Sequence, residues 1–178
     1  MTHYCPIRKT TVSTLPEERV RVNILNDLIE RLGFPASGIT VEKELSQMPH
    51  LQTTTSPLPQ RRADIVCFAK GIHPTYDLFP LLLIECKAVK LTDKMVNQVM
   101  GYNYYLKSYF IALANDQEIR MGWFDASAGV YRFILHLPTF KELLASIQPR
   151  NGETQNSEFR IQNSEEETIG GYVPPSKF

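Results

Sequence analysis

The feature that most constrains this chain is an aliphatic run, residues 81–84, that leads directly into Glu85-Cys86-Lys87. An uninterrupted aliphatic run of this length is typical of a strand that is buried on both faces of a sheet. Side chains alternate along a strand, so Glu85 and Lys87 point to one face and Cys86 points to the other. Charges at the end of a buried strand must be paired or functional, and a simple Glu85–Lys87 ion pair would satisfy that rule without any chemistry.

A second acid, Asp64, lies inside another apolar segment, residues 62–69, which also favours a strand. Asp64 and Glu85 carry the carboxylate oxygens that Mg²⁺ prefers, and the backbone carbonyl of Cys86 is placed as a third ligand. A bound Mg²⁺ or Mn²⁺ polarises a phosphate and lowers the pKa of a water molecule. Lys87 is suited to stabilise the charge that develops on the phosphate, or to orient the attacking water. These residue types therefore indicate hydrolysis of a phosphodiester.

A first amphipathic helix is predicted over residues 17–32, because apolar side chains recur there with helical period. Arg21 lies near the centre of its apolar face and needs an acidic partner. Glu17 and Glu18 lie one turn earlier, on either side of Arg21, and periodicity does not choose between them.

A second helix is predicted over residues 91–109, with Thr92 as its N-terminal cap. Gln98 and Tyr102 are four residues apart and share a face of this helix. A polar amide beside an apolar stripe is either part of a site or simply the solvated flank of the helix.

The order of the elements predicts an α/β fold. After the first helix come three strands, a helix, a strand, a hairpin and a short C-terminal helix; the predicted ranges are 39–45, 62–69, 81–87, 91–109, 110–113, 119–124, 130–135 and 140–147. A mixed central sheet flanked by helices on both faces buries such a set of elements. We expect this domain to span residues 1–148, and the polar segment 149–178 to be a flexible tail.

Composition narrows the functional classes. The chain has 19 basic and 19 acidic residues, so strong nucleic-acid affinity must come from a local patch or from a partner. Arg61, Arg62, Lys90 and Lys94 lie near the acids and are the candidates for phosphate-backbone contacts. The three cysteines match no zinc spacing and no disulfide framework. No signal segment or membrane-spanning run is visible, which favours a cytoplasmic location without a membrane partner.

The quoted motifs resemble the PD-(D/E)XK nuclease superfamily, in particular the N-terminal nuclease domain of type I restriction enzyme R subunits. The likeness rests on five segments in order, at residues 16–21, 41–44, 62–66, 83–88 and 98–102. It implies an αβββαβ restriction-endonuclease-like core. It also implies roles: Asp64 and Glu85 bind the metal, Lys87 is the catalytic lysine, and Glu17 is the first-helix acid. Gln98 and Tyr102 match a QxxxY motif that orients DNA or supports the site.

Two departures from the family pattern matter. The chain has no Gly-Lys-Ser/Thr phosphate loop, so ATP-driven translocation is not carried over. Ala63 stands where the superfamily motif has proline. The expectation is therefore a standalone Mg²⁺-dependent endodeoxyribonuclease of a restriction system, acting as a homodimer or with restriction-modification subunits. Two other functions fit the same residues: a catalytically silent nucleic-acid-binding or assembly module of this fold, and an RNA or repair nuclease.

Overall fold

Three α-helices and nine strands form within residues 2–13, 15–147 and 167–168, which are the residues that the computed structural model describes. The strands are β1 (Thr2–Cys5), β2 (Thr10–Ser13), β3 (Ile39–Glu44), β4 (Arg62–Lys70), β5 (Leu78–Cys86), β6 (Phe110–Ala114), β7 (Ile119–Asp125), β8 (Val130–Ile134) and β9 (Glu167–Thr168). The helices are α1 (Pro16–Asn26), α2 (Asp93–Leu106) and α3 (Phe140–Ile147).

The main sheet has seven strands in the order β3-β4-β5-β6-β7-β8-β9. Its pairs are antiparallel except β5 and β6, which run parallel. Parallel neighbours need a crossover connection, and α2 supplies it between β5 and β6. The succession α1-β3-β4-β5-α2-β6 is therefore an αβββαβ arrangement, and the predicted mixed sheet flanked by helices is confirmed.

Each face of the sheet carries its own core. One core joins α1 to the sheet and includes Val20, Leu25, Leu28, Ile65, Cys67, Leu82, Ile84 and Cys86. The other joins α2 to the opposite face and includes Val66, Phe68, Leu83, Val96, Val99, Leu106 and Ile111. Because both faces of β5 are covered, its aliphatic run has no solvent side, which explains the absence of polar alternation there.

The structure corrects several predicted boundaries. β5 starts at Leu78 and includes Pro80, because a register shift between Cys67 and Phe68 accommodates the missing proline N–H. The first helix changes after Asn26 into a π-helical segment, Asp27–Arg31. The predicted extension of α2 to residue 109 is wrong, since Lys107 adopts a left-handed conformation with φ of 60° and ends the helix.

Both ends of the chain also pair as strands. β1 and β2 form a separate antiparallel hairpin before α1. The predicted tail, residues 149–178, lies outside the described residues except for β9, which pairs with Arg132 and Phe133 of β8. In the part of the chain that the structure describes, no helix has the length and apolar character needed to span a membrane.

Candidate metal centre

The two predicted metal-binding acids come together at one end of β4 and β5. Ile65 pairs with Ile84 in the antiparallel register, so Asp64 and Glu85 are the next residues on neighbouring strands. The backbone N–H of Cys86 donates a hydrogen bond to Oδ2 of Asp64 at 2.9 Å, which ties Asp64 to β5. The geometry of the sheet, rather than a flexible loop, thus places both carboxylates.

Lys87 lies beside Glu85, as the alternation along the strand predicts. Its Nζ is 3.3 Å from Oε2 of Glu85, and the two side chains are 20% and 18% exposed. The backbone N–H of Lys87 donates to the carbonyl oxygen of Ala114 on β6 at 2.8 Å. This bond extends the β5–β6 pairing past the last strand residue and fixes the lysine at the opening of the site.

The α1 acid that pairs with Arg21 is Glu18, which corrects the choice of Glu17 that the resemblance implied. Arg21 is buried and donates a hydrogen bond to Glu18, which is also buried, whereas Glu17 is exposed. The reason is tertiary: Glu18 also pairs with Arg8 of the N-terminal hairpin, whereas Glu17 is exposed. Arg21 Nη2 also donates to Oδ1 of Asp64 at 2.8 Å, so both oxygens of Asp64 accept a hydrogen bond.

The site affects the charged forms of Glu85 and Arg21 differently. Burial raises the pKa of Glu85 to about 7, the neighbouring Asp64 charge adds to this rise, and Lys87 opposes it. Burial lowers the pKa of Arg21, but the carboxylates of Asp64, Glu18 and Glu42 together raise it above its usual value. Arg21 therefore stays charged, while Glu85 is only partly ionised near neutral pH unless a further cation joins the site.

A cleft of about 150 Å³ opens next to the acids. Its walls are formed by Arg61, Arg62, Glu85, Lys87, Gln98, Val99 and Tyr102. Gln98 is exposed, while Tyr102 is 5% exposed and its hydroxyl is 3.5 Å from the carbonyl oxygen of Arg61. Burial is the main cause that raises the pKa of the Tyr102 hydroxyl, so this group stays protonated as a donor.

The predicted DNA-contacting residues divide into two groups. Arg61 and Arg62 are exposed and line the cleft, with Arg62 Nε 3.6 Å from Oε1 of Glu44. Lys90 and Lys94 are also exposed, but they lie on the segment after β5 and at the start of α2, outside the cleft lining. A phosphate in the cleft would therefore meet the two arginines before either of these lysines.

The donor set fits a single hard divalent cation. Among the described residues, no group of three or more His, Cys, Asp and Glu side chains is arranged to hold a metal. Mg²⁺ commonly takes only one or two protein carboxylates and completes its octahedron with water and substrate phosphate. Asp64 and Glu85 are such a pair, since they are adjacent on neighbouring strands and Glu85 lines the cleft. The carbonyl oxygen of Cys86 stays a predicted third ligand.

Two charged residues near the site were not predicted from the sequence. They are Glu42 and Arg8, which join Glu18 in the network around Arg21. Glu42 has a positive φ of 49°, which is uncommon for a residue other than glycine. The charge of Arg21 predicted that some acid would be buried with it, but no local pattern identifies partners from β3 or from the N-terminal hairpin.

The αβββαβ core and the mixed sheet flanked by helices are those of a restriction-endonuclease-like α/β domain, with Asp64, Glu85 and Lys87 at one end of β4 and β5. Residues 16–138 match the model of the family described as type I restriction enzyme R protein N terminus, and the chain belongs to this family. No curated protein and no solved structure gives a significant match to the chain. The family match covers Asp64, Glu85 and Lys87, and it begins after the β1–β2 hairpin.

Proposed function

We propose that this protein is a metal-dependent endonuclease that hydrolyses DNA phosphodiester bonds within a restriction system. The observation that supports the proposal best is the placement of Asp64 and Glu85 on adjoining strands with Lys87 directly after β5. Glu85 and Lys87 line a cleft together with Arg61 and Arg62. The family supports DNA as the substrate, because type I restriction enzymes act within restriction-modification systems.

Each group at the site has a distinct task in this proposal. Asp64 and Glu85 hold Mg²⁺ or Mn²⁺, which when bound polarises the phosphate and activates water. Lys87 holds a positive charge at the cleft, where it stabilises the additional negative charge on the phosphate during attack. Its contact with Glu85 at 3.3 Å keeps the ammonium at that position before substrate arrives.

The arginines and the α2 residues bind the substrate around the reacting phosphate. Arg61 and Arg62 bind the flanking backbone in this proposal, which is supported by their place in the cleft lining and by the two parallel hydrogen bonds that a guanidinium group forms with phosphate oxygens. Gln98 and Tyr102 present an amide and a hydroxyl to the same cleft. These contacts carry no base specificity, so selection of a target sequence falls to a second copy of the chain or to restriction-modification subunits.

A plasmid-nicking assay tests the proposal. Purified protein should convert supercoiled plasmid to nicked or linear DNA in Mg²⁺ or Mn²⁺, and EDTA should stop the reaction. Replacing Lys87 by methionine should slow cleavage about 100- to 1,000-fold, the range typical for loss of one transition-state charge contact. Lys141→Met is the matched control, because Lys141 is an exposed lysine on α3. Equal rates for wild type and Lys87→Met would contradict the proposal.

A non-catalytic nucleic-acid-binding or assembly module of the same fold is the second candidate. The 3.3 Å contact between Lys87 and Glu85 favours it, because this ion pair alone satisfies two half-buried charges. The module would bind duplex DNA without cleaving it in either metal. Comparing duplex DNA, single-stranded DNA and RNA in the same assay separates a DNA nuclease from an RNA or repair nuclease.

A further inference from the structure

Arg21 is surrounded by carboxylates from three different elements. It donates a hydrogen bond to Glu18 on α1, lies 3.1 Å from Oε1 of Glu42 on β3, and lies 2.8 Å from Oδ1 of Asp64 on β4. The side chains of Arg21, Glu18 and Asp64 are 6%, 11% and 18% exposed, so these contacts are shielded from water, whereas the Glu42 side chain is 40% exposed. A guanidinium can serve three acids at once because its donors are fixed in a planar fork.

Arg8 binds the same two outer acids from the other side. Its Nη1 is 3.1 Å from Oε1 of Glu18, and its Nη2 donates to Glu42. Arg8 lies between β1 and β2, in the turn of the N-terminal hairpin. Arg8, Glu18, Arg21 and Glu42 thus alternate in charge, and we name these four residues the arginine clamp.

The clamp ends on Asp64, which is held from two directions. Arg21 binds Oδ1, and the backbone N–H of Cys86 binds Oδ2 at 2.9 Å. A carboxylate with both oxygens bound to rigid elements cannot rotate freely, so its remaining lone pairs have a defined direction. The left-handed backbone of Glu42, with φ of 49°, is a further sign that this arrangement is imposed by tertiary contacts.

We propose that the arginine clamp positions Asp64 for binding of the divalent cation, and that the N-terminal hairpin, through Arg8, is part of the metal centre. The inference rests on the proposed function, since it takes Asp64 as a metal ligand. Arg21 and Arg8 are positioning residues: they act through Asp64 and touch neither metal nor substrate. Arg8 precedes residue 16, where the family match begins, so this part of the clamp belongs to a segment outside the matched region.

The choice of arginine is the testable core of the proposal. Lysine at position 21 would keep the positive charge but would lose the fork that binds Glu18, Glu42 and Asp64 together. Groups that orient a metal ligand typically change metal affinity about 10- to 100-fold when they are replaced. Arg21→Lys should therefore weaken Mn²⁺ binding by about this factor while the protein stays folded.

Isothermal titration with Mn²⁺ alone tests this expectation on the full chain. The variants are Arg21→Lys and Arg8→Gln, and Arg19→Gln is the matched control. Arg19 is on the same helix and also pairs with an acid, Asp116, but its side chain is 53% exposed and outside the clamp. Far- and near-ultraviolet circular dichroism checks that each variant is folded. If Arg21→Lys does not fold, Arg8→Gln decides the matter, because Arg8 is 26% exposed and lies on the surface of the clamp.

The outcomes separate the clamp from the proposed function. Weaker Mn²⁺ binding by Arg21→Lys or Arg8→Gln, with unchanged binding by Arg19→Gln, supports the clamp. Wild-type affinity in the folded clamp variants overturns it and leaves the nuclease proposal intact. Absence of Mn²⁺ binding by the wild type overturns the metal centre itself, and the clamp's role with it.

Cleavage kinetics distinguish positioning from general destabilisation. A variant that only misplaces Asp64 should need about 10- to 100-fold more Mn²⁺ for half-maximal nicking and should recover much of its rate at saturating Mn²⁺. Its affinity for duplex DNA in Ca²⁺ should stay at the wild-type value. An unchanged Mn²⁺ requirement in the folded variants would overturn the clamp.

Discussion

The two ends of strands β4 and β5 both bury ionisable side chains, but they do so by opposite means. At one end, Asp64 and Glu85 are surrounded by Arg21 and Lys87, and every one of these groups has a charged partner. At the other end, His50 is 3% exposed and is surrounded by aromatic rings, with the Phe79 ring centroid at 5.1 Å. The first end surrounds its ionisable groups with opposite charges, and the second end surrounds a histidine with apolar rings.

The histidine end has the features of a structural site. Since a carbonyl oxygen only accepts, Nε2 of His50 donates to Leu106 at 2.8 Å, which ties the segment before β4 to the last residue of α2. Its other ring nitrogen, Nδ1, is buried without a hydrogen-bond partner. Burial lowers the pKa of His50, so the ring is neutral. Burial of a titratable group therefore does not by itself indicate a functional site. Charged partners and an adjacent cleft distinguish Asp64 and Glu85 from His50.

The largest expected effect is a loss of stability when Arg21 at the charged end is replaced. Arg21→Met removes the cation that Glu18, Glu42 and Asp64 share and leaves three acids without it. Removing one partner of a buried ion pair costs about 3–5 kcal/mol, a large part of the stability of an ordinary domain. Urea unfolding of wild type and variant should show this loss. A loss below about 1 kcal/mol, the level of an exposed ion pair, would mean that the network is solvated.

The next effect is on the rate of plasmid nicking, which should fall for a variant at the charged end and stay unchanged for a variant at the aromatic end. Asp64→Asn removes the charge of one proposed metal ligand and should lower the plasmid-nicking rate at least about 100-fold, as for the loss of a metal-orienting or charge-stabilising group. Tyr109→Phe is the control at the aromatic end, where the Tyr109 hydroxyl donates to the carbonyl oxygen of Ile72 at 2.7 Å. It should cost about 1 kcal/mol of stability and leave cleavage unchanged. A comparable loss of cleavage in both variants would remove the distinction between the ends.

The smallest expected effect is on the pH dependence of the free energy of unfolding, measured in metal-free protein. Glu85 and His50 contribute to it with opposite sign. The pKa of Glu85 is raised from 4.5 to about 7, so its contribution to stability is present below pH 4.5 and is lost as pH rises to 7. The pKa of His50 is lowered from 6.5, so its contribution is present above pH 6.5 and is lost as pH falls below that value. The free energy of unfolding, measured between pH 4 and 8, should therefore show both losses.

Single variants show which residue causes each change in the free energy of unfolding with pH. Glu85→Gln should flatten the loss toward pH 7, and His50→Phe should flatten the loss below pH 6.5. If Glu85→Gln leaves the slope between pH 4.5 and 7 unchanged, the carboxyl pair is not the origin of that slope.

The sequence predicted those parts of the molecule that depend on local pattern. The aliphatic run of β5 and its alternation placed Glu85 and Lys87 on one face, and the structure shows them 3.3 Å apart. The resemblance placed Asp64 beside them, and the register of β4 and β5 agrees. These features were accessible because strand alternation and motif spacing are properties of short segments.

The missed parts depend on contacts between distant segments. Glu18 rather than Glu17 is the partner of Arg21, and Arg8 from the N-terminal hairpin pairs with the same acid. Nothing in the residues around Glu42 indicated its positive φ, and nothing around His50 indicated its aromatic surroundings. Which acid joins a buried arginine is decided by the tertiary fold, so periodicity left two candidates where the structure has one.

Binding of Mn²⁺, measured from the loss of the free-ion signal in electron paramagnetic resonance, is the decisive test of the metal centre. We expect one bound ion per wild-type chain, because two carboxylates form the site. The Asp64→Asn/Glu85→Gln double variant should bind no ion at the same Mn²⁺ concentration. Binding of one ion by the double variant with wild-type affinity would contradict a metal centre at Asp64 and Glu85.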